Sequence, residues 1–207
     1  MNLEGEYTFD GPREEVWDLV QDPEALAMAL PGTQSLEKVG ENEYEGVMNV
    51  RIGAVSGVFS GRVLIEDEQP PESLTMKVEG EGKPGFVKGV GQVNLLDQGD
   101  GTTLMKYSGE LQIGGRLASV GQRLLDTTSK SMLRQGLGEL NKALQARMAA
   151  KTEGEEIEYE PPTEGEFAAA VAKDVAGEMF SSSRVIWIIL AVIILIIIVA
   201  FILMNGS

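Results

Sequence analysis

A two-residue alternation of apolar and polar side chains runs through most of the first 113 residues and limits what the chain can fold into. The alternating segments are 3–9, 33–39, 43–53, 57–68, 73–81, 87–97 and 102–113. Successive side chains of a β-strand point to opposite faces of a sheet, so this pattern is typical of antiparallel strands with one buried face. Turn-forming residues separate the later segments, which predicts a seven-stranded antiparallel sheet with a meander of six strands after the first.

The spacing becomes helical twice between the first two strands. Gly11-Pro12 followed by acidic residues predicts a short helix with proline at its first position and Trp17 on its apolar side. Asp22-Pro23 predicts a second short helix with Asp22 as its N-cap, ended by Leu30-Pro31-Gly32.

A longer helical pattern follows the last strand. From Gly115 to about Ala150, leucines recur every three to four residues, which predicts one long amphipathic helix. The predicted fold is therefore α+β: a curved seven-stranded sheet around a long C-terminal helix, in a domain covering residues 1–150.

A run of 20 residues without a polar side chain, Val185–Met204, lies near the end of the chain. At about 1.5 Å per residue it matches the roughly 30 Å hydrocarbon core of a bilayer, which predicts one transmembrane helix. Only three residues follow it, so we expect a tail anchor, a single pass through the cell membrane. Arg184 precedes the run and nothing charged follows it, which favours a cytoplasmic position for the domain.

The segment 151–184 separates the domain from this predicted span. Its first 16 residues hold seven glutamates and Pro161-Pro162, a composition typical of a solvated, extended chain. We therefore predict an acidic flexible tether, with a possible short helix over 166–180.

Composition excludes several functions. The chain has no Cys and no His, so disulfides, zinc-finger-type sites, thiol nucleophiles and imidazole bases are ruled out. Its 32 acidic and 17 basic residues give a net charge of −15, which disfavours nucleic acid as a partner. The acidic pairs fall on predicted exposed faces, so no catalytic residue, metal site or tightly bound cofactor is predicted.

The parity of the strands assigns an inner face, opposite to the charged side chains. That face is apolar and carries a glycine on nearly every strand, which either lets the sheet curve strongly or leaves room for a ligand. The predicted ligand-cavity residues on the sheet are Tyr7, Phe9, Met48, Val50, Phe59, Val63, Met76, Val78, Val87, Gly89, Gly91, Val93, Met105, Tyr107, Gly109 and Leu111. Those predicted on the long helix are Leu117, Val120, Gly121 and Leu124.

Particular motifs resemble one family. Gly11-Pro12-Arg13-Glu14-Glu15-Val16-Trp17, Asp22-Pro23, Leu30-Pro31-Gly32, the glycine-rich stretch 85–91 and Gly114-Gly115-Arg116-Leu117 are similar to the motifs of the CoxG family of carbon monoxide dehydrogenase subunits. The resemblance covers about 150 of the 207 residues. It implies a START-like (SRPBCC) helix-grip fold, in which the two short helices often form the entrance. Trp17, Met28 and Leu30 are therefore gate candidates, although Trp17 is better explained as a core residue that fixes the first short helix to the sheet.

The resemblance also implies a role beside a molybdenum hydroxylase, most often aerobic carbon monoxide dehydrogenase, at the membrane. An apolar cavity suits a lipid, and the main hypothesis is a non-enzymatic carrier of an isoprenoid quinone such as menaquinone. One alternative is a membrane-recruitment adaptor for that dehydrogenase that carries no ligand. Another is a START-like enzyme such as a cyclase or hydrolase, against which the lack of histidine argues.

Overall fold

The computed structural model describes residues 1–30, 32–153 and 161–180. The elements are β1 (Asn2–Phe9), α1 (Arg13–Leu19), α2 (Pro23–Ala29), β2 (Thr33–Lys38), β3 (Glu43–Ile52), β4 (Val55–Gln69), β5 (Ser73–Gly82), β6 (Gly85–Asp97), β7 (Thr103–Gly115), a 3₁₀ turn (Arg116–Val120), α3 (Gln122–Glu153) and α4 (Glu164–Phe180).

The seven strands form one antiparallel sheet in the order β1-β7-β6-β5-β4-β3-β2. Neighbours from β2 to β7 are also neighbours in the chain, and β1 joins the sheet beside β7, with Tyr7 opposite Met105. The predicted α+β fold with a seven-stranded antiparallel sheet is thus confirmed. The register keeps the apolar set of each strand on one face, because cross-strand partners share a face.

No helix within residues 1–30, 32–153 and 161–180 is long and apolar enough to cross a membrane. The run 185–204, for which a span is predicted, lies outside those residues, as does the stretch 154–160 of the predicted tether. Within the predicted tether, residues 164–180 form α4, which includes the short helix predicted over 166–180, and α4 packs on α3.

Two helix starts differ slightly from those predicted. Pro12 is the N-cap of α1 rather than its first residue. The long helix begins at Gln122, not at Gly115, because Gly115 and Gly121 take positive φ angles of 74° and 91° on either side of a 3₁₀ turn. Asp22 caps α2 as predicted, and its carboxylate accepts hydrogen bonds from the backbone N–H of Glu24 (2.8 Å) and Ala25 (3.3 Å).

The C-terminal part of α3 is fixed to the two short helices by charged contacts. Arg147 donates to Asp22, and Lys151 Nζ lies 2.6 Å from Glu15 Oε1. Burial raises the pKa of Asp22, but hydrogen bonds from Arg147 and from the α2 backbone lower it by more, so its pKa lies below the ordinary value. The charged form of Asp22 therefore stabilises the folded state.

This pairing predicts a pH-dependent effect of Asp22→Asn. A depressed folded pKa contributes stability above the unfolded pKa of about 3.9, and the contribution is lost as the pH falls through the folded pKa. We expect the variant to lower Tm by about 2–4 °C at pH 7, the effect of a partly exposed pair of about 1 kcal/mol or less. The deficit should shrink towards zero near pH 3, measured by circular dichroism on the full chain in detergent. Asp18→Asn, at an exposed position of α1, is the control, and an equal deficit at both pH values would contradict the assignment.

Candidate ligand-binding site

The inner face of the sheet is not covered evenly by α3. The helix approaches the sheet mainly at β1 and at β3, which are strands near opposite ends of the strand order. A helix that touches both flanks of a curved sheet can leave part of the middle strands uncovered. The space between α3 and β4–β7 is therefore where a cavity can exist.

The packed core is accordingly divided in two. A large cluster joins α1, α2 and the C-terminal half of α3 to one end of the strands, around Phe9, Trp17, Leu95 and Leu144. A smaller cluster at the other end is formed by Ile52, Phe59, Leu117 and Leu125.

Inner-face residues between the clusters belong to neither of them. Met48, Val78 and Leu111 point to the inner face, yet each keeps accessible surface. For Val78, on the central strand β5, this means that no side chain of α3 covers it fully. We call the space bounded by Met48, Val78, Leu111 and the glycines beside them the hollow.

Two cross-strand rows of glycines lie on the inner face of the sheet beside the hollow. Gly46, Gly61 and Gly80 are register partners on β3, β4 and β5. Gly91 and Gly109 are partners on β6 and β7. At each of these rows, the inner face carries no side chain.

Curvature and room, the two explanations for these glycines, apply at different positions. A Cβ on Gly89 would lie 2.5 Å from the backbone oxygen of Glu110, so that glycine permits close approach of β6 and β7. A Cβ on Gly80 would meet no atom nearer than Ser60 O at 3.9 Å, which is ordinary contact. Gly80 therefore leaves space that a side chain would fill.

The structure sorts the predicted cavity residues by their place along the strands. Tyr7, Val63, Met76, Val93 and Tyr107 flank the large cluster while keeping accessible surface. Val50, Val87, Val120 and Leu124 flank the small cluster in the same way, with Phe59 buried inside it. The residues between the clusters are Met48, Val78, Gly89, Gly91, Gly109 and Leu111.

Several predicted site residues lie elsewhere. Phe9 is fully buried and Met105 and Leu117 nearly so, each enclosed by its cluster, and they present almost no surface to a ligand. Gly121 is exposed in the turn before α3, and a Cβ added there would meet no atom within 4 Å, so it does not line the hollow.

The three gate candidates separate in the same way. Trp17 is buried in the large cluster, which agrees with its interpretation as a core residue. Met28 is 43% exposed on α2. Leu30 lies against α3, where a Cβ on Gly136 would be 3.3 Å from Leu30 Cδ2.

Two tyrosines give the apolar surface its hydroxyl groups. Burial raises the pKa of Tyr7, and the negative charges of Asp10 and Glu139 raise it further. Burial also raises the pKa of Tyr107. Both hydroxyls are therefore protonated at neutral pH and able to donate a hydrogen bond to a carbonyl oxygen.

The part of the chain that the structure describes holds no group of three or more acidic, histidine or cysteine residues arranged to bind a metal ion.

A concavity of about 590 Å³ lies on the outer face of the sheet. Charged side chains line it together with Gly46, Gly61 and Gly80, and two ion pairs cross it: Arg62 to Glu45 (2.6 Å) and Lys88 to Glu79 (3.0 Å). An apolar ligand there would take these ion pairs out of water, so the inner hollow is the better candidate site for such a ligand.

The curved sheet, the long helix and the hollow between them define a helix-grip protein of the START-like class. Several solved structures share the fold, and three of them are compared below. A conserved protein from Geobacillus kaustophilus is 32% identical, with a TM-score of 0.67, over 70% of this chain and 95% of that one. The Zhui aromatase/cyclase from Streptomyces sp. R1128 (12% identity, TM-score 0.58) matches over 73% of this chain and 97% of that one. A START superfamily protein from Mycobacterium smegmatis (12% identity, TM-score 0.54) matches over 70% and 97%.

The family is narrower than the fold class. The family model of CoxG, a subunit of carbon monoxide dehydrogenase, matches residues 5–145, about two thirds of the chain. The protein belongs to the CoxG family. Among curated proteins, none matches the chain.

The two explanations of the glycines predict different outcomes for two substitutions. Gly80→Val should change the free energy of unfolding by less than about 1 kcal/mol, because the site has room and valine favours strands. Gly89→Val should destabilise the domain by about 2–3 kcal/mol, because the backbone of Glu110 cannot move away cheaply. Urea unfolding followed by fluorescence measures both. Equal, large losses would show that Gly80 also serves curvature and that the hollow has no spare room there.

Proposed function

We propose that the protein is a membrane-tethered carrier whose hollow binds an isoprenoid lipid, most simply a quinone such as menaquinone. The observation that carries the proposal is the accessible apolar surface of Met48, Val78 and Leu111 between two packed clusters. When an apolar ligand covers exposed apolar surface, that surface is removed from water and the free energy falls.

The chemistry of the walls favours one kind of ligand. Met48 and Met76 are flexible and polarisable, so they adapt to a long branched tail. Tyr7 and Tyr107 supply hydroxyl donors at the side of the large cluster. A long hydrocarbon chain that ends in a carbonyl-bearing ring uses both features, whereas a sugar or nucleotide would leave many polar groups unpaired.

Family membership suggests the partner. The family name refers to carbon monoxide dehydrogenase, and we propose that the carrier serves such an enzyme or a related molybdenum hydroxylase. Electrons from a water-soluble dehydrogenase must reach a quinone that dissolves in hydrocarbon. A tethered domain that lifts the quinone out of the bilayer and presents it to the enzyme would solve this problem.

The membrane part of the proposal comes from the sequence. The run 185–204 would anchor the chain in the cell membrane, with the domain on the cytoplasmic side. Anchoring would raise the effective concentration of the domain at the bilayer surface.

The proposed role is not catalytic. The aromatase/cyclase among the solved structures is 12% identical to this chain, which shows a shared fold alone. Tyr7 and Tyr107 flank the large cluster, and as protonated hydroxyls they would orient a ligand by hydrogen bonding.

Filling the hollow tests the carrier. The full chain, purified in detergent from a host that makes menaquinone, is extracted and the quinone per protein is measured by liquid chromatography. We expect Gly80→Leu to lower the bound quinone about tenfold, the effect of losing about 1.4 kcal/mol of binding. Ser60→Leu places the same side chain on the exposed outer face of β4 and should retain the wild-type amount.

The same experiment separates the carrier from the adaptor. Equal quinone in wild type and Gly80→Leu would show that the hollow does not hold it. If such a protein still bound the dehydrogenase in a pull-down, the recruitment adaptor would be the better description.

A further inference from the structure

Helix α4 lies outside the family domain, which ends at residue 145, and its own sequence makes it a helix. Thr163 and Glu166 form a capping box: Thr163 Oγ1 and the Thr163 backbone N–H donate to Glu166 Oε2 (2.8 and 2.9 Å), and the Glu166 N–H donates to Thr163 Oγ1 (3.3 Å). Such a box satisfies the first free donors of a helix. The helix therefore begins at a defined residue.

One face of α4 is buried. Phe167 and Val171, one turn apart, are 6% and 9% exposed. Asp174 continues the same face, whereas Ala168, Ala172 and other residues of the opposite face are exposed. Helix α4 is thus docked on the domain.

Polar contacts hold both ends of the docked helix. Asp174 Oδ2 accepts from Gln135 Nε2 (2.9 Å), Ser131 Oγ (3.2 Å) and Arg134 Nη2 (3.2 Å) on α3. Near the start of α4, Glu164 Oε1 accepts from Asn49 Nδ2 of β3 (3.1 Å). The hydrogen bond from Gln135, opposed by burial and aided by Ser131 and Arg134, lowers the pKa of Asp174, so the carboxylate stays charged.

These contacts place α4 across the opening between α3 and the sheet. Along α3, Leu124 lies beside Gly53 of the β3–β4 turn, and Gly136 lies beside Leu30 of α2. These two residues are 12 positions apart, which corresponds to about 18 Å of helix. On the sheet side, the pairing of β2 with β3 extends no further than Met48, so residues 50–52 of β3 have no strand beyond them. Helix α4 runs from Asn49, at this edge, to Ser131, in the middle of the opening on α3.

We propose that α4 is a lid over the entrance to the hollow and that Asp174 is its latch. The inference rests on the proposed function and specifies how a ligand reaches the hollow. The latch is suited to reversible opening, because Arg134 is about half exposed and exposed ion pairs contribute little net stability. The apolar run predicted to enter the bilayer begins five residues after Phe180, so a lifted lid would open beside the membrane.

Tethering the lid to α3 tests the proposal. The chain has no cysteine, so Arg134→Cys/Glu178→Cys can be bridged selectively by a short bis-maleimide. The native side chains join α3 to α4 at the surface (3.2 Å) and are 52% and 45% exposed. The full-length double variant is placed in phosphatidylcholine vesicles that contain a diazirine-bearing isoprenoid quinone. After illumination, mass spectrometry measures the label on peptides that contain Met48 and Met76.

We expect the bridged protein to carry about tenfold less label than the unbridged one, a change of about 1.4 kcal/mol. Glu15→Cys/Lys151→Cys is the matched control, because the native side chains touch (2.6 Å) but join α3 to α1 and leave α4 free. Its bridge should not change the label. Equal labelling of the bridged and unbridged lid variants would overturn the lid, whereas absence of label from the wild-type protein would overturn the proposed function itself.

Removing the latch tests the same proposal without a bridge. Asp174→Ala should increase the initial rate of labelling several-fold, while Lys173→Ala, at a neighbouring exposed position of α4, should leave it unchanged. Circular dichroism of both variants checks that the fold is intact. An unchanged rate in Asp174→Ala would show that Asp174 does not control the entrance.

Discussion

The support of α3 at two points determines most of this architecture. Near its C-terminal end, Arg147 and Lys151 fix the helix to α2 and α1. Near its N-terminal end, Leu125 packs in the small cluster. Between these supports, Met48, Val78 and Leu111 on the inner face of the sheet keep accessible surface. The curvature and the hollow depend on different glycines of the same inner face: Gly89 lets two strands approach closely, and Gly80 leaves space that a side chain would fill.

The strand pattern of the sequence predicts the sheet well and the site in part. Alternation assigns the inner face of β1 and of β3 to β7 correctly, because parity is a local property. Parity does not distinguish Met48 or Val78 from Phe9 or Met105, which share the inner face but are buried in a cluster. The difference depends on where α1, α2 and the ends of α3 land on the sheet, and these contacts are long-range.

Helix α4 shows a different limit. The sequence predicts a short helix over 166–180, and Thr163 with Glu166 is a local signal for its start, but no local pattern predicts that the helix docks on the domain. Docking depends on Ser131, Arg134 and Gln135, which lie about 40 residues earlier and have no sequence periodicity in common with α4. The sequence pattern also places the start of α3 at Gly115 instead of Gln122. Gly121 stands inside a helical pattern of apolar residues, and only its positive φ reveals the break.

Because the core is divided, the empty volume inside the domain would depend on whether a ligand is bound. An empty hollow is space that unfolding eliminates, and the volume change of unfolding scales with such space. Hydrostatic pressure should therefore disfavour the ligand-free protein more strongly than the loaded one. The carrier would then be most compressible after it has released its ligand. A bound ligand would fill the space between the two packed clusters.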